Sequence, residues 1–317
     1  MRILISDHVD GCCGEILRQQ GLIVDYSPGA SPAQLVEKIA AADGLVVRSA
    51  TKVTADVIAH APKLRVIGRA GAGVDNIDVA AATQRRIAVF NAAAANTISA
   101  TEHTLALMLA LARHIPRAHQ SLVQGKWNRT AFPGAELSGK FLGVIGLGKI
   151  GREVAARAQA FGMKVMAYDP LIPAAEFADA GVEACTFDHL IRNSDFITIH
   201  APFSGDTRYL IGEQQLQICK PSLRIVNTAR GGIIDERALY QALQEGRIAG
   251  AALDVFENEP PGDLPLLKLD NVVATPHLGA STIEAQQRVA EEIARSVADF
   301  LLHGKVDNIV NSEVLGA

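Results

Sequence analysis

The sequence predicts an α/β protein built on two doubly wound parallel sheets, and three observations carry that prediction. Short apolar runs alternate with helical segments along all 317 residues, with no low-complexity tract and no short-period repeat. A chain of this length is long for a single core and suits two domains of ordinary size. Finally, VIGLGKIGREVAARAQAFGMKVMAYDP, residues 144–170, strings together an apolar strand, a glycine turn, a helix, a second strand and a terminal acid.

Taken in order, the apolar runs at 2–6, 22–26, 44–48, 64–69 and 87–91 read as strands separated by helices, which makes a small parallel sheet. A long helical run follows from about Ser99, capped by Thr97 or Ser99, through TEHTLALMLALARHIPRAHQSLVQ to Gly125. Its Leu, Met and Ala content covers nearly every face, so burial on two sides is expected. Further strands are predicted at 141–145, 164–168, 196–200, 224–227, 249–253 and 272–274. A last helix then runs from about Thr282 to His303, and an apolar tail occupies 308–310. The glycine-centred unit lies mid-chain, so the two ends are expected to join into one domain.

Composition excludes several classes. Apolar residues make up 49% and charged residues 20%, a globular balance. The net charge of −4 gives no global attraction to nucleic acid or an anionic membrane. Cys12, Cys13, Cys185 and Cys219 show neither zinc spacing nor a disulfide framework, which points to free thiols in a reducing compartment. The chain enters a strand at once and has no apolar run of the ~18 residues a membrane helix needs, so a cytoplasmic protein without a metal site is expected.

The glycine turn states its chemistry directly. Gly146, Gly148 and Gly151 form G-x-G-x-x-G immediately after an apolar strand. The first glycine permits the tight turn, the second lets backbone approach a pyrophosphate, and the third lets helix pack closely on strand. The helix then presents its free N–H groups and positive dipole end to phosphate. Asp169 ends the second strand, where a carboxylate accepts hydrogen bonds from the adenosine ribose hydroxyls. Two like charges about 4 Å apart repel by ~1 kcal/mol in water and ~4 kcal/mol at an effective dielectric near 20, so Asp169 should reject the 2′-phosphate of NADP. The predicted cofactor is NAD.

Six segments, in order along the chain, resemble the NAD-dependent D-isomer-specific 2-hydroxyacid dehydrogenase family, in particular its branch acting on 3-phospho-D-glycerate. They are VVRSATKVTADVI (46–58), GRAGAGVDNID (68–78), GLGKIGREVA (146–155), VNTARGGIIDE (226–236), GAALDVFENEP (250–260) and TPHLGAST (275–282). The resemblance implies a flavodoxin-like substrate domain from 1–97 and 283–317, wrapped around a Rossmann-like NAD domain, 98–282, with the active-site cleft between them. It implies homodimers, and on occasion tetramers, paired through the NAD domains, which would account for the apolar helix near 99–122. It also implies oxidation of 3-phospho-D-glycerate to 3-phosphohydroxypyruvate, the entry step of serine biosynthesis.

By the same resemblance, His277 is the acid/base that takes the substrate's hydroxyl proton, and histidine titrates near working pH. Glu259 would hold the other imidazole nitrogen, fixing its tautomer as a carboxylate does for a catalytic histidine. Arg230 would grip the substrate carboxylate, which its planar fork fits bidentately. Read without the family, His277 is equally a satisfied loop histidine, Glu259 a solvated turn residue and Arg230 half of a surface ion pair.

Arg48 with its neighbour Ser49, and Arg69, close predicted strands of the first domain and match residues that hold the substrate's carboxylate and phosphate. Arg129 matches one that reaches a neighbouring subunit. The plainer alternatives pair Arg48 with Asp7 or Asp43 and leave Arg129 in a loop. The family's cofactor contacts map onto Lys149 and Ile150 under the pyrophosphate, Pro170 beside the ribose and Ala201 and Pro202 near the adenine. Thr228, Arg230 and Asp254 map near the nicotinamide, Asp254 having a structural cap as its alternative, and Ala229, Gly279 and Ala280 complete the expected cofactor contacts. The sequence ends at Ala317, and no serine feedback through an appended regulatory region is expected. Two other functions stay open: reduction or oxidation of another D-2-hydroxy acid, with glyoxylate and hydroxypyruvate as candidates, and an NADH-sensing, corepressor-like binding protein.

Overall fold

Alternating residues along the inner strands of the amino-terminal third divide between two apolar clusters, Ile3, Ile5 and Val46 entering one and Leu4, Leu45 and Val47 the other. Such strands need cover on both faces, and the chain supplies it with helices. The computed structural model describes residues 1–315. Its contacts divide the chain into two units, Met1–Asn96 together with the segment from Ala280 onward, and Thr97–Gly279. The expected division was 97/98 and 282/283.

In the first unit the order is β1 (Arg2–Ile5), α1 (Gly11–Gln19), β2 (Ile23–Tyr26), α2 (Pro32–Ile39), β3 (Gly44–Val47), α3 (Ala55–Ala59), β4 (Val66–Arg69), α4 (Val79–Gln84) and β5 (Ala88–Asn91). The strands pair in parallel in the order β2-β1-β3-β4-β5, the flavodoxin-like arrangement.

The second unit begins with α5 (Thr97–Ala112) and α6 (Ile115–Val123), followed by β6 (Phe141–Ile145), α7 (Lys149–Ala160), β7 (Lys164–Tyr168), α8 (Ala174–Asp179), β8 (Glu183–Ala184), α9 (Phe187–Asn193), β9 (Phe196–Ile199), α10 (Glu213–Ile218), β10 (Arg224–Asn227), α11 (Glu236–Gln244), β11 (Gly250–Leu253) and β12 (Val272–Ala274). Seven parallel strands lie in the order β12-β11-β10-β9-β6-β7-β8. The Rossmann-like strand order reverses between β6 and β9, where an open α/β sheet forms its ligand crevice. The two-residue β8 was not anticipated, being too short for a periodic signal.

Returning to the first unit, α12 (Ile283–His303) is capped by the Thr282 hydroxyl on the Ala285 N–H and buries Val289, Ile293, Val297 and Leu301 against that unit's sheet. The tail follows as an extra edge, Ile309 bridging Phe90 antiparallel. Asn311, 2% exposed, fastens it there. Its Oδ1 accepts from the Val89 N–H at 2.8 Å, and its amide donates to the Ile87 carbonyl and Thr83 Oγ1 at 2.9 Å each.

The long helix expected from 99 to about 124 is in fact two. His114 adopts φ 52° and Pro116 opens α6, because a proline inside a helix lacks the N–H donor and its ring collides with the preceding turn. The two helices also differ in burial. Leu105, Leu107, Met108 and Leu111 of α5 lie in the core with Val144, Val154 and Val226, so the unit's own interior accounts for its apolar character. By contrast α6 buries no residue and leaves Ile115, Leu122 and Val123 exposed, with Trp127 exposed beyond it. Among the described residues no helix is long and apolar enough to cross a membrane, and no three His, Cys, Asp or Glu side chains group as a metal site.

Candidate active site

Because the second sheet is wholly parallel, the loops after β10, β11 and β12 leave the same edge from three adjacent strands. Arg230 lies on the first, Glu259 on the second and His277 on the third. Gly231 sets how closely the first two loops approach, since a Cβ there would overlap the Phe256 carbonyl. Asn227 fixes the Arg230 loop from below: its amide donates to the Arg230 carbonyl at 2.9 Å and its Oδ1 accepts from the Ala229 N–H at 3.1 Å. The Arg230 guanidinium donates through Nη1 to the Ala229 carbonyl at 2.7 Å. Across the next loop, Glu257 N–H donates to Glu236 Oε1 at 2.6 Å and Glu236 N–H to Glu257 Oε1 at 3.1 Å, tying the segment before Glu259 to the start of α11.

His277 and Glu259 meet directly, with Nδ1 and Oε2 2.7 Å apart. The second Glu259 oxygen accepts from the Phe256 N–H at 3.2 Å, so the carboxylate is oriented by its own loop before it orients the imidazole. With Glu259 as acceptor, Nδ1 carries the proton and Nε2 presents a lone pair. The imidazole remains 47% exposed, as a group that must meet a ligand requires.

Asp254 sits behind this pair, 0% exposed. Burial pushes its pKa up, but hydrogen bonds from His103, Thr275, Leu278 and Gly279 outweigh that and hold the carboxyl below the usual carboxylate range. Its oxygens thereby accept from the turn that carries His277 and from His103 of α5.

The glycine turn has room where a ligand needs it. Gly146 takes φ 89°, a conformation that favours glycine, and a Cβ on Gly151 would overlap the Gly146 carbonyl oxygen. Nothing lies within 4 Å of a Cβ placed on Gly148, and α7 begins there with no side chain capping its N–H groups, as a pyrophosphate site demands. Lys149 and Ile150 form the first turn of α7. Asp169 follows β7 and accepts from the Leu147 N–H at 2.8 Å and the Leu171 N–H at 3.0 Å, which pins the acid beside the turn. Pro170 is exposed next to it, and Ala201 and Pro202 follow β9 on the same edge. The residues therefore fit a dinucleotide whose ribose bears free hydroxyls.

At the end of β9, His200 faces Thr198, Nε2 lying 2.9 Å from Oγ1, and burial lowers its pKa to about 3. The imidazole is neutral in the fold, whereas the unfolded chain takes up a proton below pH 6.5. Stability contributed by neutral His200 is therefore lost as pH falls from 6.5 toward the folded value, at on the order of 1 kcal/mol per pH unit. Urea unfolding between pH 7 and 4.5 should show this slope in the wild type and a shallower one in His200→Gln. Equal slopes would show that another group is responsible.

In the first unit, Arg48 and Ser49 follow β3. The Arg48 N–H donates to Asp7 Oδ2 at 2.6 Å, while Asn76 donates to the Arg48 carbonyl at 2.8 Å and to the Thr51 carbonyl at 2.6 Å. The suggested pairing with Asp43 does not occur through this loop, since Asp43 Oδ2 accepts instead from the Arg2 N–H at 2.6 Å. Burial lowers the Arg48 pKa, partly offset by the charge of Asp7. Arg69 ends β4, its guanidinium folded over Gly71, where a Cβ would displace it. Ala280, the first residue of the returning segment, accepts from the Gln286 amide at 2.6 Å. Arg129 lies in a short 3₁₀ turn, Arg129–Ala131, exposed. Sequence reasoning named Asp7 as a partner of Arg48 but missed Asn76, and also His103 and Thr104 of α5. The last two were legible as a polar pair inside an apolar helix.

Comparison with known proteins agrees with this geometry. Residues 105–279 match a family model described as D-isomer specific 2-hydroxyacid dehydrogenase, NAD binding domain. The chain is 52% identical to a D-3-phosphoglycerate dehydrogenase from Methanocaldococcus jannaschii over 98% of its length. It is 49% identical to that of Rattus norvegicus over 99% of its length. In both cases it spans 59% of the relative. A solved D-lactate dehydrogenase from Aquifex aeolicus, complexed with NAD and lactic acid, superposes with a TM-score of 0.85 at 28% identity, covering 98% of this chain and 99% of that one.

Proposed function

Because this chain belongs to the D-isomer specific 2-hydroxyacid dehydrogenase family, we propose that it oxidises 3-phospho-D-glycerate to 3-phosphohydroxypyruvate with NAD, at the entry to serine biosynthesis. The observation that carries the reading is the 2.7 Å contact between His277 and Glu259 on the strand-end edge that also bears Arg230 and the glycine turn. The identity of 49–52% to relatives named D-3-phosphoglycerate dehydrogenase supports the substrate.

In this mechanism, Arg230 binds the substrate carboxylate and orients the reacting carbon. His277 Nε2 accepts the proton of the 2-hydroxyl, and Glu259 stabilises the imidazolium as it forms. NAD, when bound, supplies the nicotinamide that accepts hydride from that carbon. Asp169 holds the adenosine ribose, and Lys149 and Ile150 present backbone N–H groups to the pyrophosphate. Arg48, Ser49 and Arg69 are assigned to the substrate's anionic ends. A homodimer is part of the reading, supported by the exposed apolar residues of α6 and by Trp127. Arg129, in the exposed segment that follows, is assigned to a neighbouring subunit's substrate. The cytoplasmic setting is supported by the four free cysteines, Cys12, Cys13, Cys185 and Cys219.

Initial-rate NADH formation with 3-phospho-D-glycerate, D-glycerate and a panel of D-2-hydroxy acids tests this. A preference of about 100-fold in kcat/KM for the phosphorylated acid, ~2.7 kcal/mol of transition-state binding, is expected. Arg48→Ala and Arg69→Ala should raise its KM more than that of D-glycerate. Equal effects on both would remove the phosphate assignment. Preference for another acid would keep the family chemistry and change the substrate, and no turnover with any acid would favour an NADH-sensing binding protein.

A further inference from the structure

We propose that α5 is the brace of both catalytic loops, with His103 and Thr104 acting as positioning residues for His277 and Arg230. The inference deepens the dehydrogenase reading, and its kinetic arm rests on it.

His277 takes φ 53°, a left-handed conformation that a residue with a side chain keeps only where its surroundings over-determine it. The surroundings are Asp254. Its backbone carbonyl accepts from the His277 N–H at 2.9 Å. Its carboxylate accepts from Leu278 N–H at 2.7 Å, Gly279 N–H at 2.8 Å and Thr275 Oγ1 at 2.6 Å. These donors all belong to the turn itself, whereas the Asp254 backbone is held to β10 by its N–H on the Asn227 carbonyl at 2.9 Å. The next donor comes from a different element: His103 Nε2, on α5, lies 3.1 Å from Asp254 Oδ1 and 3.0 Å from Thr275 Oγ1.

Donor accounting assigns the tautomer. An ionised carboxylate only accepts and the Thr275 hydroxyl is directed at it, so His103 Nε2 must carry a proton. The His277 turn is thus tied to a helix anchored in the core by Leu105, Leu107, Met108 and Leu111.

One residue further along, the same helix reaches the other loop. Thr104, 0% exposed, donates to the Ala100 carbonyl at 2.7 Å. Its oxygen then accepts from the Thr228 hydroxyl at 2.7 Å. Thr228 opens the loop whose carbonyls and N–H groups Asn227 organises around Arg230. The acid/base and the carboxylate clamp are therefore referenced to one rigid element, although they lie on different strands.

The test compares His103→Leu with His103→Gln, whose amide nitrogen can occupy the place of Nε2, after thermal unfolding has verified that both fold. The first readout is the two-bond ¹H–¹⁵N spectrum of histidine-labelled protein, with His277 assigned by His277→Ala. In the wild type His277 is expected as the Nδ1–H tautomer. His103→Leu should lose that tautomer and His103→Gln retain it. In kinetics, His103→Leu should lower kcat by on the order of 100-fold with little change in KM, as a misplaced catalytic group does, and His103→Gln should recover most of it. Thr104→Val should give the opposite split, a KM raised about fivefold, the fold-change of one neutral hydrogen bond, with kcat little changed. An unchanged His277 tautomer in His103→Leu would overturn the proposal. A wild type without turnover would end the dehydrogenase reading while the spectrum still decided this one.

Discussion

Replacing His277 with alanine is expected to lower kcat by on the order of 10³- to 10⁴-fold, at the upper end of what a general acid/base contributes, while NADH still binds. The reasoning is geometric. His277 Nδ1 is engaged by Glu259 at 2.7 Å, so Nε2 is the group left to take a proton, and no other residue of the turn offers one. The pyrophosphate and adenosine ends of the cofactor are assigned to the glycine turn and Asp169, on β6 and β7, at the far side of the β6/β9 switch point from β12, and these contacts do not involve the His277 side chain. Binding and chemistry should therefore separate. Glu259→Gln, which keeps the shape but loses the charge that stabilises the imidazolium, should show a smaller loss in kcat. Stopped-flow NADH fluorescence gives binding and single-turnover rates give chemistry. A His277→Ala enzyme within tenfold of wild type would remove the acid/base assignment.

The second large effect concerns cofactor choice. Asp169→Asn should weaken NAD roughly 10- to 100-fold, since hydrogen bonds to a charged group contribute about 1.5–3 kcal/mol. It should strengthen NADP by about fivefold or more, because the 2′-phosphate no longer meets a carboxylate, a repulsion of ~1 to ~4 kcal/mol depending on the local dielectric. The ratio of kcat/KM for the two cofactors should thus move by on the order of 10² to 10³. Asparagine is the apt substitution because Asp169 also accepts from the Leu147 and Leu171 N–H groups, and an amide oxygen can keep part of that support. An unaltered ratio would show that discrimination against NADP lies in other residues around the ribose.

Much of the fold was legible because parallel strands buried on both faces are written as uninterrupted apolar runs, and β6, β7, β10 and β12 begin and end where those runs do. The glycine turn was legible for a related reason. The positive φ of Gly146 and the contact of Gly151 with the Gly146 carbonyl are demands made within a few residues, so local sequence records them. The helix break at Pro116 was also written in the chain, but the strong apolar pattern to either side outweighed it.

What the sequence by itself determined, then, is most of the elements and the cofactor loop with its acid, and the resemblance of short motifs to the family singled out Arg230, Glu259 and His277 as candidates. Each of these follows from short-range steric or periodic demands, or from a motif confined to a few consecutive residues. Only the tertiary structure decided how the three are held. The union of His277 with Glu259 spans 18 residues, and that of His103 with Asp254 spans 151. No local pattern encodes contacts across such separations, because they exist only once parallel pairing has brought β10, β11 and β12 side by side and laid α5 against them. Asp254 illustrates the difference. Its sequence context allows a cofactor contact or a cap, and only the structure shows four donors gathered around its buried carboxylate, three of them from the turn that carries His277.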